Sequence, residues 1–303
     1  MKNSPAFSNL RRWNRPARLT LPAARRTRWL LAGLAALLLG LSVGCSQIGY
    51  YAQAVQGQTS LLWHAKPVDA WLHDPALDPK LRSRLQQARA IREFAVHELA
   101  LPQNGSYQSY VDIARPYVLW NVVATGEFSF KPHAWCFPVA GCVTYRGYYS
   151  QQAAQDFASQ LRQQGQDVQV SGVPAYSTLG WFNDPLISSF IYYPESELAR
   201  LMFHELSHQV LYVPGDTRFN ESFASTVEEA GLQRWLAQRG DPRLSQAWAS
   251  AKTRRKEFLA LLLSTRQKLE ANYASNATVE VKRQQKAALF ASLLEEYRQL
   301  KQQ

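Results

Sequence analysis

The chain has 303 residues, of which 46% are hydrophobic and 12% aromatic, a composition that suits a globular protein with a substantial core. Its formal charge is +11, but eight positive charges belong to residues 1–44, which contain no Asp or Glu. Residues 45–303 therefore carry only +3, so the charge does not support nucleic acid as a partner, and we predict none.

The N-terminus has the layout of an export signal. A basic region extends to Arg28, and an uncharged apolar run of 16 residues, Trp29–Gly44, then leads to Cys45. This run is short for a membrane span, which needs about 20 residues. Leu41–Cys45 resembles a bacterial lipoprotein box, in which the cysteine receives lipid and becomes the new N-terminus. We predict a signal peptide over residues 1–44 and lipid attachment at Cys45, with an uncleaved membrane anchor as the alternative.

Either alternative places the rest of the chain outside the cytoplasm, and we predict an envelope protein that is lipid-anchored to a membrane and faces the periplasm. Two further cysteines, Cys136 and Cys142, are separated by five residues that include Pro138 and Gly141. A disulfide closing a small turn is feasible at this spacing and is favoured in an exported protein. Two free buried thiols are the alternative.

Helical and β patterns are mixed over the first half of the exported part. Apolar residues at three- and four-residue steps predict a helix over Pro79–Leu99, and a second helix is predicted over Gln151–Gly165. A short alternating strand is predicted from Asp167. Other β-like runs occur at Pro116–Ala124, Glu127–Phe130 and Gly141–Tyr149.

The second half is predicted to be helical. One helix begins near Pro194 and extends to about Leu211, and the next extends from Asn220, as its N-cap, to about Gln238. The charged segment 245–303 predicts an extension of two long helices that form a hairpin. We therefore predict one α+β domain over residues 45–303, mostly helical with a small sheet.

The stretch Phe203–Gln209 contains the pattern H-E-x-x-H, formed by His204, Glu205 and His208. Residues four apart lie on one face of a helix, so both imidazoles can reach the same metal ion. Glu205 is placed to take a proton from water activated by that metal, as the hydrolysis of a peptide bond requires. The alternative is a helix whose histidines are merely hydrogen-bonded and partly buried.

Apolar neighbours favour the metal interpretation. Leu201, Met202, Leu206 and Val210 predict that this helix packs into a core, where histidine and glutamate side chains are costly unless something binds them. Catalytic zinc takes three protein ligands, and the downstream candidates for the third are Asp216, Glu221, Glu228 and Glu229. We favour Glu221 as the ligand and Glu228 as a partner of a ligating histidine, with Glu228 as the second choice for the ligand itself.

Together, HELSHQ and the later NESFA, Asn220–Ala224, resemble the motifs of gluzincin metallopeptidases. Residues 57–236 are similar to the bacterial predicted-aminopeptidase lipoprotein family. The resemblance implies a zincin-like fold with the motif on an active-site helix, one Zn²⁺ per chain, ligands His204, His208 and Glu221, and Glu205 as the base. The segments that carry it are Asn104–Tyr110, Arg115–Val122, Trp135–Tyr149, Val173–Pro185 and the metal region.

Two departures from the gluzincin pattern concern the surroundings of the ligands. The 12 residues between His208 and Glu221 form a shorter connection than in that group, and Ser225 stands where an acidic residue is usual. The G-x-M-E-N strand that holds a substrate amine in related aminopeptidases is also absent. Asp184 and Glu195 are possible substitutes, each with a simpler interpretation as a turn residue and a helix-start charge.

The segment Ala175–Phe182 could present an edge strand to an extended substrate, and its alternative is an ordinary loop that lines the core. Tyr176, Thr178 and Gly180 are the substrate-binding candidates within it. A hydroxyl donor to the transition state is also expected. The candidates for this donor are Tyr148, Tyr176, Tyr192 and Tyr193.

Two classes of function remain. The first is a zinc-dependent peptidase, which the family resemblance makes an aminopeptidase, acting on peptide substrates and anchored to a membrane by its N-terminal lipid. The second is a non-catalytic zinc-containing envelope lipoprotein that serves as a binding or scaffold protein. Glu205 favours catalysis, because a structural zinc site needs no base. Hydrolysis of another amide, such as one in the cell wall, is a third possibility.

Overall fold

The computed structural model describes residues 48–137 and 141–302. The predicted signal peptide and the predicted lipid attachment at Cys45 lie outside these ranges. The chain divides into two units, Met1–Ala52 and Gln53–Gln303. Residues 48–52 are helical, and all elements that position the candidate site belong to the second unit.

Three helices come first in the second unit: α1 (residues 53–64), α2 (Val68–His73) and α3 (Pro79–His97). Asp78 caps α3 by accepting a hydrogen bond of 2.8 Å from the backbone N–H of Leu81. The core-facing side of α3 is fully buried at Leu85, Ala88 and Ile91. The predicted helix over Pro79–Leu99 is confirmed and ends two residues earlier.

Two three-stranded sheets form in the described residues. The first has the order β1 (Lys66–Pro67), β2 (Ser109–Val111) and β8 (Leu186–Ile187), with β2 and β8 parallel. The second is antiparallel, with the order β6 (Arg146–Tyr148), β3 (Leu119–Gly126) and β7 (Gln166–Val173). Helix α4 (Gln151–Gln163) connects β6 to β7 and is capped by Ser150.

A small hairpin of β4 (Trp135–Phe137) and β5 (Gly141–Val143) stands apart from both sheets. Two β predictions are corrected here. Glu127–Phe130 is a turn and a loop, since β3 ends at Gly126, and Gly141–Tyr149 forms two strands, β5 and β6, separated by a bend. The β-like residues of Glu127–Phe130 form no strand, whereas those of Gly141–Tyr149 do, and pairing with neighbouring strands decides this difference.

The two helices that carry the metal motif are α5 (Glu195–Ser207) and α6 (Thr217–Arg239). Helix α5 is buried at Met202 and Leu206, as its apolar pattern predicted, and also at Phe203. Val210 was predicted to pack in the same core, but 53% of it is exposed because α5 has already ended. Gly231 of α6 allows the close approach of α5, since a Cβ there would lie 3.0 Å from the ring of Phe203.

The chain ends in the predicted helical hairpin, formed by α7 (Pro242–Ala274) and α8 (Val279–Leu300). Helix α6 stops at Gly240, which has a left-handed conformation, and Asp241 caps α7. Trp248 of α7 joins the main core, whereas α8 has no buried residue. Over residues 48–137 and 141–302, none of the helices combines the length and the apolar character that crossing a membrane requires.

Candidate metal centre

The candidate ligands come from two packed helices. His204 lies on α5, His208 is the residue that caps its C-terminus, and Glu221 lies in the second turn of α6. Nε2 of His204 is 3.3 Å from Oε2 of Glu221, and Nε2 of His208 is 3.8 Å from Oε1 of the same carboxylate. One ligand atom from each residue lies within 4.8 Å of the other two, so the group could hold a metal ion.

The type and spacing of these donors fit zinc. Two imidazoles and a glutamate form one of the three-ligand sets known for catalytic zinc. Bonds of about 2.0–2.1 Å in a tetrahedral arrangement place neighbouring ligand atoms roughly 3.4 Å apart. The two histidines lie near this distance from the carboxylate, at 3.3 Å from one oxygen and 3.8 Å from the other, and one ligand atom from each residue lies within 4.8 Å of the other two. In the described part of the chain, Nδ1 of His208 is buried without a hydrogen-bond partner. No hydrogen bond at Nδ1 therefore fixes the ring of His208, whose position depends on packing and on the group that binds Nε2.

A short, tightly held connection brings Glu221 to the histidines. Asp216 caps α6 by accepting a hydrogen bond of 2.9 Å from the backbone N–H of Phe219. Asn220, which is 1% exposed, binds both backbone groups of Val213: its Oδ1 accepts from the N–H at 2.8 Å, and its Nδ2 donates to the carbonyl at 2.9 Å. The predicted N-cap role of Asn220 is wrong, because α6 begins three residues earlier at Thr217.

Behind the ligands, Glu228 fixes the orientation of His204. Oε2 of Glu228 is 2.9 Å from Nδ1 of His204, and its other oxygen accepts a hydrogen bond of 2.6 Å from Nε of Arg200. An ionised carboxylate only accepts hydrogen bonds, so His204 donates from Nδ1, and Nε2, which faces Glu221, is the nitrogen that can bind a metal after releasing its proton. Burial lowers the pKa of His204, but its hydrogen bonds to Glu221 and Glu228 raise it overall to about 10 in the metal-free protein.

Glu205 is half-buried on α5, beside the ligand group. Burial is the main cause that raises its pKa to about 7, and the charges of Glu221 and Asp184 add to this effect. The charge of His204 opposes the shift. A carboxylate with a pKa close to neutral can accept a proton and later release it, as a general base in hydrolysis must.

A loop from Ser177 to Asp184, called the strap below, lies against the end of α5. Gly180 is close to Gln209, the residue after His208: a Cβ atom on Gly180 would lie 3.8 Å from the Cβ of Gln209. The predicted substrate-binding residues Thr178 and Gly180 both belong to the strap. Of the two alternatives for Ala175–Phe182, an edge strand and a loop, the structure has the loop, because β7 ends at Val173 and the next strand begins at Leu186.

Other predicted residues are engaged elsewhere. The hydroxyl of Tyr176 is 2.6 Å from the hydroxyl of Tyr149 and also binds Gln58. Both oxygens of Asp184 accept hydrogen bonds from Thr178. Glu195 accepts hydrogen bonds from Gln87 at 2.6 Å and Trp235 at 3.2 Å, and it forms an ion pair with Arg239 at 3.0 Å. The two carboxylates suggested for a substrate amine therefore hold parts of the fold together.

The remaining tyrosines that were predicted as transition-state donors pack against other parts of the fold. Tyr148 packs against Phe157 with ring centroids 5.7 Å apart. Lys80 lies over the ring of Tyr192 at 5.0 Å, and Tyr193 packs against the main core. These contacts give all three tyrosines a role in packing.

Two tyrosines near the site were not identified from the sequence. The ring of Tyr212 lies 6.4 Å from that of His208, and burial together with the charge of Glu221 raises the pKa of Tyr212. Tyr107 is 3% exposed, and burial, followed by the charges of Glu205 and Asp184, raises its pKa. Tyr212 lies between the two ligand-bearing helices in the sequence, and this position could have identified it as a residue near the site. No local pattern places Tyr107 near the site, because it approaches from a distant loop.

The β4–β5 hairpin touches the connection between α5 and α6. Cys136 and Cys142 are directly opposite each other in this hairpin and are joined by a disulfide. Gly141 has φ +71°, and a Cβ there would lie 2.7 Å from the backbone nitrogen of Gly215. Only glycine permits this approach, so the hairpin is packed closely against the segment that joins His208 to Glu221.

Fold and site together define an α+β protein with a His-His-Glu group that could hold a metal ion and a half-buried glutamate beside it. A protein-family model described as "putative aminopeptidase" matches residues 49–303, and the chain belongs to that family. Membership in this family supports a peptidase activity in general terms. A search of curated proteins and a search of solved structures each gave no match.

Proposed function

We propose that the protein is a zinc-dependent peptidase that hydrolyses peptide bonds with Glu205 as general base and His204, His208 and Glu221 as ligands of one Zn²⁺ per chain. The observation that carries the proposal is the convergence of these three ligands beside a half-buried glutamate. Family membership supports the peptidase class. A non-catalytic scaffold would need the ligands but not Glu205.

The chemistry follows from the positions of the side chains. When bound, Zn²⁺ lowers the pKa of water towards neutrality and polarises a carbonyl oxygen. Glu205 takes the proton of the attacking water and delivers it to the amine that leaves. Glu228 holds His204 in the tautomer that directs Nε2 to the site. Tyr212, beside His208, is the hydroxyl that we assign as donor to the oxygen that becomes negative.

The family description makes an aminopeptidase the finer form of this proposal. An aminopeptidase must hold the free amine of its substrate. Since Asp184 and Glu195 are both engaged within the fold, the proposal does not assign either of them to this role. Comparing amino-acid anilides with N-acylated peptides tests the aminopeptidase assignment independently of the peptidase assignment.

We also propose that the protein is exported and held at the cell envelope through lipid on Cys45, facing the periplasm. The support is the N-terminal sequence, with its basic region, apolar run and lipoprotein-type box. The disulfide between Cys136 and Cys142 agrees with an oxidising compartment. Metabolic labelling with a fatty acid, compared between the natural chain and Cys45→Ser, tests this proposal.

The deciding experiment compares the purified protein with Glu205→Gln, both loaded with zinc and assayed on amino-acid anilides and N-acylated peptides. We expect Glu205→Gln to bind zinc normally and to lose kcat by roughly 10²–10⁴-fold, as expected when a general base is removed. Zinc content measured by elemental analysis is the control. Equal rates in both proteins, or no turnover in the zinc-loaded natural protein, would refute the proposal.

A further inference from the structure

The strap, Ser177–Asp184, is held in one conformation by an internal network. Oδ2 of Asp184 accepts a hydrogen bond of 2.9 Å from the backbone N–H of Thr178, and Oδ1 accepts one of 2.8 Å from its hydroxyl. The backbone N–H of Phe182 donates to Oγ1 of Thr178 at 3.1 Å. Asp184 is 4% exposed, so these bonds are shielded from water. Leu179 has a positive φ of 57°, a conformation that a residue other than glycine keeps only where the surroundings enforce it, and Gly180 follows with a φ of 81° that glycine adopts freely.

A second network seats the strap beside the ligand helix. Gly180 lies against Gln209, which directly follows the candidate ligand His208. Oε1 of Gln209 accepts a hydrogen bond of 2.7 Å from Asn104, and its Nε2 donates to the hydroxyl of Ser106 at 3.2 Å. Nε of Arg92 on α3 donates to the Ser106 carbonyl at 2.6 Å. The backbone N–H of Tyr107, the residue after Ser106, donates a hydrogen bond of 2.6 Å to the carbonyl of Asp184, so the strap is tied to the segment that binds Gln209.

This fixed loop presents two large aromatic side chains to solvent. Trp181 is 70% exposed and Phe182 is 49% exposed. In the segment that follows His208, Val210 and Leu211 are exposed as well. Exposed apolar side chains are thus present in both of the segments that approach each other at Gly180 and Gln209. Several exposed apolar groups beside a candidate active site point to a binding surface, whereas single exposed apolar residues need no explanation.

We propose that the strap binds a large apolar side chain of the peptide substrate, with Trp181 and Phe182 as the residues that determine this specificity. The proposal rests on the peptidase function proposed above and specifies its substrate class. A peptide that reaches the ligands comes near the strap, because Gly180 is separated from Gln209, the residue after His208, by little more than the space of one Cβ atom. The fixed backbone means that little backbone conformational entropy is lost when the aromatic side chains bind.

Charge argues for a peptide rather than a membrane as the occupant of this surface. Neither the strap nor the segment Gln209–Asp216 contains Lys or Arg, and each contains an aspartate. The carboxylate of the candidate ligand Glu221 lies nearby and its side chain is 56% exposed. Anionic lipid surfaces attract Lys and Arg, so a surface of this kind is not suited to them.

The test compares peptides that differ at one residue, with Leu, Phe, Gly or Glu at that position, each in free-amine and N-acylated form. We expect the natural protein to prefer Leu and Phe, and Trp181→Ala to lose roughly tenfold in kcat/KM for these two but not for Gly. Trp63→Ala is the matched control, since Trp63 is 84% exposed on α1 and outside the strap. Thr178→Val, which removes the hydroxyl bound to Asp184, should weaken the same preference.

Peptide binding to Glu205→Gln, measured by calorimetry with zinc present, separates the two proposals. Absence of turnover by the zinc-loaded natural protein, with Trp181-dependent binding of apolar peptides preserved, would refute the peptidase function and leave the strap as a binding site. Turnover without an apolar preference, or with a preference that Trp181→Ala does not change, would refute the strap proposal. Loss of binding to anionic vesicles in Trp181→Ala, with unchanged peptide selectivity, would overturn it in favour of a membrane surface.

Discussion

At the scale of single residues, Glu228 shows how the site is prepared from behind. It lies two helical turns after Glu221 on α6 and contacts His204, while Arg200 neutralises its charge through a hydrogen bond of 2.6 Å. Burial opposes ionisation of Glu228, but its bonds to His204 and Arg200 lower its pKa overall. An ionised acceptor at this position keeps the proton of His204 on Nδ1.

Glu228→Gln is expected to weaken zinc binding about 10–100-fold, the usual cost of losing an outer partner of a ligating histidine. The amide is a weaker acceptor for the imidazole N–H and leaves Arg200 without its partner charge. A competition titration against a chromophoric chelator measures the affinity. Glu229→Gln is the control, because Glu229 is exposed and pairs with Lys252. Equal affinities in the two variants would contradict the role of Glu228.

At the scale of elements, the connection between α5 and α6 decides whether the third ligand reaches the histidines. Asn220 holds Val213 through two hydrogen bonds, and the β4–β5 hairpin packs against Gly215. The 12 residues between His208 and Glu221 are thereby held close to the ends of both helices. A short connection can thus serve the site, provided that its backbone is fixed.

Asn220→Ala is expected to lower the free energy of unfolding by about 1–3 kcal/mol, because it removes two hydrogen bonds at a residue that is almost fully buried. Zinc affinity should fall as well, since Glu221 is the next residue. Urea denaturation and chelator competition measure the two effects. Thr226→Val is the control, because the Thr226 hydroxyl binds only the Ser222 carbonyl of its own helix. Unchanged zinc affinity in Asn220→Ala would show that the clamp does not position the ligand.

At the scale of the whole second unit, α7 is connected to the site through Trp248. The guanidinium groups of Arg200 and Arg255 lie over its ring at 5.4 and 5.6 Å. Arg200 in turn binds Glu228, so the C-terminal hairpin supports the ligand helices from outside. Helix α8 is held by ion pairs of Arg283 with Glu127 and of Lys286 with Asp167, and it has no buried residue.

Trp248→Ala is expected to lower the free energy of unfolding by about 3–5 kcal/mol, the range for removing a buried aromatic side chain. Chemical denaturation followed by circular dichroism measures the change. Trp63→Ala should change stability by less than about 0.5 kcal/mol, because Trp63 is exposed. A similar loss in both variants would mean that Trp248 does not join α7 to the core.

The helix patterns, the metal motif and the family were accessible from the sequence. The three- and four-residue spacing of apolar residues on α3 and α5 is a local property, and an H-E-x-x-H pattern needs only one helix to bring two histidines together. The end of α5 was harder to predict, because Val210 continues the apolar pattern beyond the last helical turn. The family prediction is confirmed for residues 49–303 at the level of the putative aminopeptidase family.

Contacts between distant segments depended on tertiary packing. Hydrogen bonds from Thr178 to Asp184 fold the strap back so that it comes close to Gln209, and the sequence of Ala175–Phe182 left an edge strand and a loop as alternatives. Tyr107 and Arg92 approach the site from segments about 100 residues before it. Local patterns define which side chains share a helix, whereas the free energy of packing and the pairing of buried polar groups determine which helices and loops meet.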